Sequence, residues 1–83
     1  MKAIEAFELA AEMNKTLLAT DPRLRRAVKI IHDEGTVLFF DYAFAENHED
    51  WVFIFTEHHG HHVYHESDVL VYQYERIYDD EEV

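Results

Sequence analysis

From Lys2 to Ala19, apolar side chains return at helical intervals. Wound at about 3.6 residues per turn, Ile4, Phe7, Ala10, Ala11, Leu17 and Leu18 gather on one face, while Glu5, Glu8, Glu12 and Lys15 lie on or near the other. Good helix formers fill the segment, which predicts a first helix with these six residues on its apolar face. Asp21-Pro22 then reads as a cap followed by a first-turn proline. Leu24, Ala27, Val28 and Ile31 recur at helical spacing up to Gly35, a residue suited to a left-handed helix end. This predicts a second helix. A rival pattern covers residues 26–32: Val28, Ile30 and Ile31 are β-branched, and residues 33–35 would make a three-residue hairpin loop ending on glycine.

From Thr36 onward the runs are short, aromatic and β-branched, separated by polar residues. They predict strands at 36–45, 51–56, 61–65 and 69–78, joined by short connections in an antiparallel meander. The expected fold is therefore α+β, with two N-terminal helices packed on one face of a four-stranded antiparallel β-meander, all in one small domain. Alternation along these strands is poor, because both parities carry apolar groups. Two helices cover only one face of such a sheet, so the other face is expected to be an aromatic-rich surface, open or met by a partner.

Charge changes this picture. The net charge is −11, unevenly spread: residues 1–29 hold four acids and six bases, and residues 30–83 hold fourteen acids and one base, Arg76. Four of the seven bases are Arg23, Arg25, Arg26 and Lys29. An acidic body of this kind repels nucleic acid and anionic membranes and attracts basic partners. The 83 residues include no cysteine, which removes thiol chemistry and suits a reducing compartment. The longest strictly apolar run, Trp51 to Phe55, is far shorter than the roughly 20 residues that span a bilayer, so a soluble, cytoplasmic protein is expected. The acidic run Asp79, Asp80, Glu81 and Glu82 predicts a frayed tail over 79–83.

Five of the seven histidines fall between His58 and His65. A two-residue turn at His59-Gly60 would pair His58 with His61 and Glu57 with His62. Directly opposed side chains have Cβ atoms about 5 Å apart, so His58 and His61 are the candidate ligands for zinc or nickel. A structural zinc ion wants four ligands and a catalytic one usually three, so this pair needs help from elsewhere. Flanking Glu57 and Glu66 are expected to favour proton uptake by these histidines below about pH 6.5. Glu57 facing His62 is the one acid/base pair in reach, with no nucleophile motif or phosphate loop beside it.

The composition thus favours a non-enzymatic acidic binding or inhibitor protein that docks on a basic protein partner. A nucleic-acid-binding protein or nuclease is the natural target, since spaced carboxylates stand in for phosphates. Anti-CRISPR, anti-restriction and immunity proteins are often of this size and charge, a likeness of composition alone. The expected contacts are Glu46, Glu49, Asp50, Asp79, Asp80, Glu81 and Glu82, with Tyr72 and Tyr74 as anchors. A divalent-metal binder built on residues 58–65 is the alternative, and a homo-oligomer joined by the basic patch is compatible with either.

Overall fold

The computed structural model describes residues 2–17, 21–32 and 35–75. They form one helix, α1 (Ala3–Leu17), and six strands: β1 (Arg26–His32), β2 (Val37–Asp41), β3 (Ala43–His48), β4 (Trp51–Thr56), β5 (His61–His65) and β6 (Val69–Glu75). The strands make two three-stranded antiparallel sheets, β2-β1-β6 and β3-β4-β5. This corrects the expected two helices on a four-stranded meander. No helix among the described residues is long and apolar enough to cross a membrane.

Residues 26–32 are the rival strand. Asp21 and Pro22 do start a helical turn, but it is one turn of 3₁₀ helix, Pro22–Arg25, and Arg26 leaves it extended. Beyond it, Val28 and Ile30 alternate into the core, and β1 is the central strand, paired on both sides. Two ladders and β-branched packing outweigh a weak helical periodicity. Gly35 has φ 85°, the left-handed conformation its hairpin needs, and His32 donates its N–H to the Thr36 carbonyl at 2.9 Å.

The predicted 36–45 strand breaks at Tyr42, which sits at φ 53°. The break turns the chain from the first sheet into the second and reverses the face that each parity presents. Leu38 and Phe40 before it, and Ala43 and Ala45 after it, all enter the same inter-sheet core. One uninterrupted strand would have placed those two pairs on opposite faces, which is why alternation read so poorly. A non-glycine residue in this conformation costs roughly 1–2 kcal/mol. Nearby, the Tyr42 carbonyl accepts the Glu57 N–H at 2.9 Å, and the Gln73 side chain of β6 accepts the Ala45 N–H of β3 at 2.9 Å, tying the sheets together at the corner.

The layers stack as helix, second sheet, first sheet. On one side of the second sheet, Phe44, Phe53 and Phe55 pack with Ala6, Ala10 and Leu24, flanked by Met13, Leu17, Trp51 and Val63. On the other side, Val52, Ile54 and Ala43 pack with Val28, Ile30 and Val69. Strand β4 is therefore apolar on both faces because both are covered. The helix is rotated from the orientation its periodicity suggested, keeping Ala10 and Leu17 of the predicted face inward. Ala6, Ala10, Met13 and Leu17 meet the sheet, and Ile4 and Phe7 are exposed. Small alanines allow close approach over three phenylalanine rings, whereas bulky Ile4 and Phe7 would hold the helix off.

This orientation is testable by stability. Ala10→Leu should overpack the helix–sheet interface and cost about 1–3 kcal/mol, whereas Ile4→Ser should change stability by less than about 0.5 kcal/mol. Urea denaturation of both variants decides it; the reverse ranking would show that the helix packs through Ile4.

Candidate interaction surface

Among the described residues no layer covers the outer face of the first sheet, although Ala27 on that face is itself buried. Register places nine residues there as a three-by-three array: Asp41, Ala27 and Tyr74; Phe39, Lys29 and Tyr72; Val37, Ile31 and Leu70. Five of them are large apolar or aromatic side chains, Val37, Phe39, Leu70, Tyr72 and Tyr74, with 42% to 65% of their surface exposed. Lys29 stands at the centre. Its ammonium lies 5.8 Å from the centroid of the Phe39 ring and 5.9 Å from that of Tyr72, within range of a cation–π attraction to both.

The described carboxylates expected beside the tyrosines, Glu46, Glu49 and Asp50, are elsewhere. Glu46 lies on the opposite side of the sandwich, facing Arg23 at 3.9 Å. Glu49 and Asp50 form the turn between β3 and β4, with Glu49 at φ 55°. Asp79, Asp80, Glu81 and Glu82 lie outside the described residues, as does the predicted frayed tail. The described candidates therefore divide between the open face, with Tyr72 and Tyr74, and positions away from it, with Glu46, Glu49 and Asp50.

The basic patch is divided as well. Arg23, Arg25 and Arg26 line a cleft of about 330 Å³ with Pro22 and Glu75, and Lys29 belongs to the open face. Arg23 is committed to structure. Its Nε and Nη2 donate to the Asp21 carboxylate at 3.1, 3.2 and 2.8 Å, and its backbone N–H donates to the same group at 2.9 Å. Its guanidinium carbon lies 4.0 Å from the centroid of the Phe44 ring. These hydrogen bonds hold the Asp21 carboxyl below the usual carboxylate range. Sequence spacing marked Asp21 as a cap; the forked pairing and the ring stack beneath it were not foreseen.

The histidine hairpin closes differently from the expected turn. Thr56 donates its N–H to the Gly60 carbonyl at 3.0 Å, and Gly60 takes φ 73°. The loop is thus three residues, Glu57, His58 and His59. Buried Thr56 explains the choice: its hydroxyl donates to the Gly60 carbonyl and accepts the His59 N–H, both at 2.8 Å, so the buried hydroxyl is satisfied as both donor and acceptor. Phe55 consequently faces His61 rather than Tyr64. An odd shift in register exchanges the two faces of the strand. His61, Val63 and His65 turn toward the helix layer, and His62 and Tyr64 toward the first sheet.

The proposed ligands His58 and His61 are thereby separated. His58 sits in the loop, edge-on to Tyr42 at 5.5 Å, and His61 lies in β5 with its ring 4.9 Å from Phe7. Glu57 no longer faces His62, whose partner is Ile54. Among the described residues no group of three or more potential ligands is placed to hold a metal ion. Instead, every one of the seven histidines stands beside an aromatic ring: His32 by Tyr64, His48 by Phe53, His58 by Tyr42, His59 and His62 by Phe40, His61 by Phe7, and His65 by Trp51.

A second hollow, about 380 Å³, is bounded by Ala3, Ile4, Phe7, Trp51 and Val63. It brings no acid, base or nucleophile together. No family model matches the chain, and no curated protein or solved structure matches it either.

His62 gives a pH test. Burial holds its imidazole below the usual histidine range, helped by the neighbouring His61 and His59 and opposed by its contact to the His59 carbonyl at 3.1 Å. This reverses the expectation, for this residue, that nearby acids promote proton uptake. The unfolded chain then binds this proton more tightly than the folded one. The contribution of His62 to stability is intact above the unfolded value of about 6.5 and declines as pH falls below it. The melting temperature should drop on going from about pH 7.5 to about pH 5.5, and His62→Gln should shrink that drop. An equal drop in both proteins would remove His62 from the account.

Proposed function

We propose that this chain is a non-enzymatic binding protein that docks on a protein partner through the open face of the first sheet. The supporting observation is the contiguity of Val37, Phe39, Leu70, Tyr72 and Tyr74 on that one face. Single exposed apolar residues are ordinary on any protein surface. Five on one sheet face, in a chain with eighteen acidic residues available for its surface, support the reading of an interaction site. Tyrosine suits such a site because it combines contact area with a polar tip.

The acid excess acts at longer range. A net charge of −11 speeds encounter with a basic partner and slows encounter with acidic ones, an effect that added salt weakens. Steering and docking thus fall to different groups: carboxylates around the body steer, and the mostly apolar array docks.

Phe39→Ser with Tyr72→Ser should leave the fold intact, since both side chains are exposed and surface changes cost within about 0.5 kcal/mol each. The double variant should keep the wild-type circular dichroism and lose a partner that the wild-type protein retains from lysate at moderate salt. If the variant retains that same partner, the docking face is misassigned. If the wild-type protein captures only an assortment of cationic proteins that salt washes away, the binding role itself fails.

A further inference from the structure

Any partner that covers the open face must deal with Lys29. Its ammonium stands at the middle of the array, and among the described residues its charge is met by two ring faces and by no carboxylate at ion-pair distance. In the free protein, water solvates the remaining N–H groups. Docking removes that water, and burying an ammonium without a counter-charge costs more than cation–π contacts return. An uncharged apolar partner therefore meets a penalty at the centre of its own contact.

A second copy is disfavoured by its charge. Face-to-face pairing about a two-fold axis through the centre of the array would set Lys29 against Lys29 of the other copy, and an axis shifted toward Asp41 would let Lys29 meet the other copy's Asp41. Either arrangement would bring together two bodies of net charge −11 each. Charge complementarity points instead to a different molecule. Resting on the docking role proposed above, we infer that the partner presents one carboxylate ringed by apolar side chains, and that this carboxylate pairs with Lys29. The overall basic charge of the partner and this single local acid are compatible, because steering acts over a Debye length of about 8–10 Å and pairing acts at contact.

The rings make Lys29 a prepared site. Phe39 and Tyr72 flank the ammonium from the strands on either side, so less side-chain freedom is lost on pairing. Three strands about 4.8 Å apart, and same-face residues about 6.8 Å apart, give an array of about 10 Å by 14 Å between outer Cα positions. One short helix or extended segment covers it, so a peptide probe is adequate.

A library of random twelve-residue peptides displayed on phage, panned on the wild-type protein and counter-selected on Phe39→Ser/Tyr72→Ser, should yield sequences sharing one Asp or Glu among apolar residues. A synthetic consensus peptide should bind Lys29→Met at least about tenfold more weakly than wild type. Changing its acid to the amide should weaken binding to wild type and leave binding to Lys29→Met unchanged, the signature of a direct pair. Face-dependent peptides without an acid, or peptides bound equally by Lys29→Met, overturn the inference and leave the docking role standing. Failure to recover any face-dependent peptide counts against both. So does a homodimer seen by light scattering and abolished by Phe39→Ser/Tyr72→Ser.

Discussion

The structure depends on the double burial of the second sheet. Phe44, Phe53 and Phe55 face the helix, and Val52, Ile54 and Ala43 face the first sheet. A fully buried side chain of this type contributes about 1.5–3 kcal/mol, and a domain this small has little else to draw on. Covering both faces uses the single described helix on one side and the whole first sheet on the other. Among the described residues, the outer face of the first sheet then has no layer left to cover it. The candidate docking surface follows from this arrangement: three layers give two internal interfaces, and the apolar residues that remain sit outside.

Two corners make the arrangement possible. At Tyr42 the chain leaves one sheet for the other within a single residue, and the Glu57 N–H and the Gln73 side chain supply hydrogen bonds around that bend. Near the end of α1, Arg23 joins Asp21, the Phe44 ring and Glu46 in one contact group. Its forked pairing with Asp21 directs the chain from the short turn into β1. An arginine fits this place better than a lysine, because a planar guanidinium can pair and stack at once.

The histidines show how composition misleads when geometry is absent. Five imidazoles within eight residues suggest metal chemistry. In three dimensions they disperse over a loop and two faces of β5, each beside an aromatic ring. Loop closure is responsible. A buried threonine hydroxyl selected a three-residue loop over a two-residue turn, and the resulting odd shift in register sent His61 and His62 to different layers. The function proposed here accordingly rests on the opposite face of the molecule, where chemistry is sparse and shape and exposure carry the argument.

Local information in the sequence determined α1, the strand character of 51–56, 61–65 and 69–75, and the left-handed roles of Gly35 and Gly60. It also determined that both strand parities are apolar; that Tyr72 and Tyr74 lie on an exposed face agrees with the expectation, although the two-helix meander from which that face was argued does not form. The number of sheets, the strand at 26–32, the inward face of the helix and the separation of Glu46 from the tyrosines were decided by tertiary structure. The physical reason is that each of these turns on a competition between distant segments. Val28 and Ile30 become strand residues because β2 and β6 arrive on either side, and Ala6 and Ala10 turn inward because small side chains at those two positions let the helix approach the three phenylalanine rings.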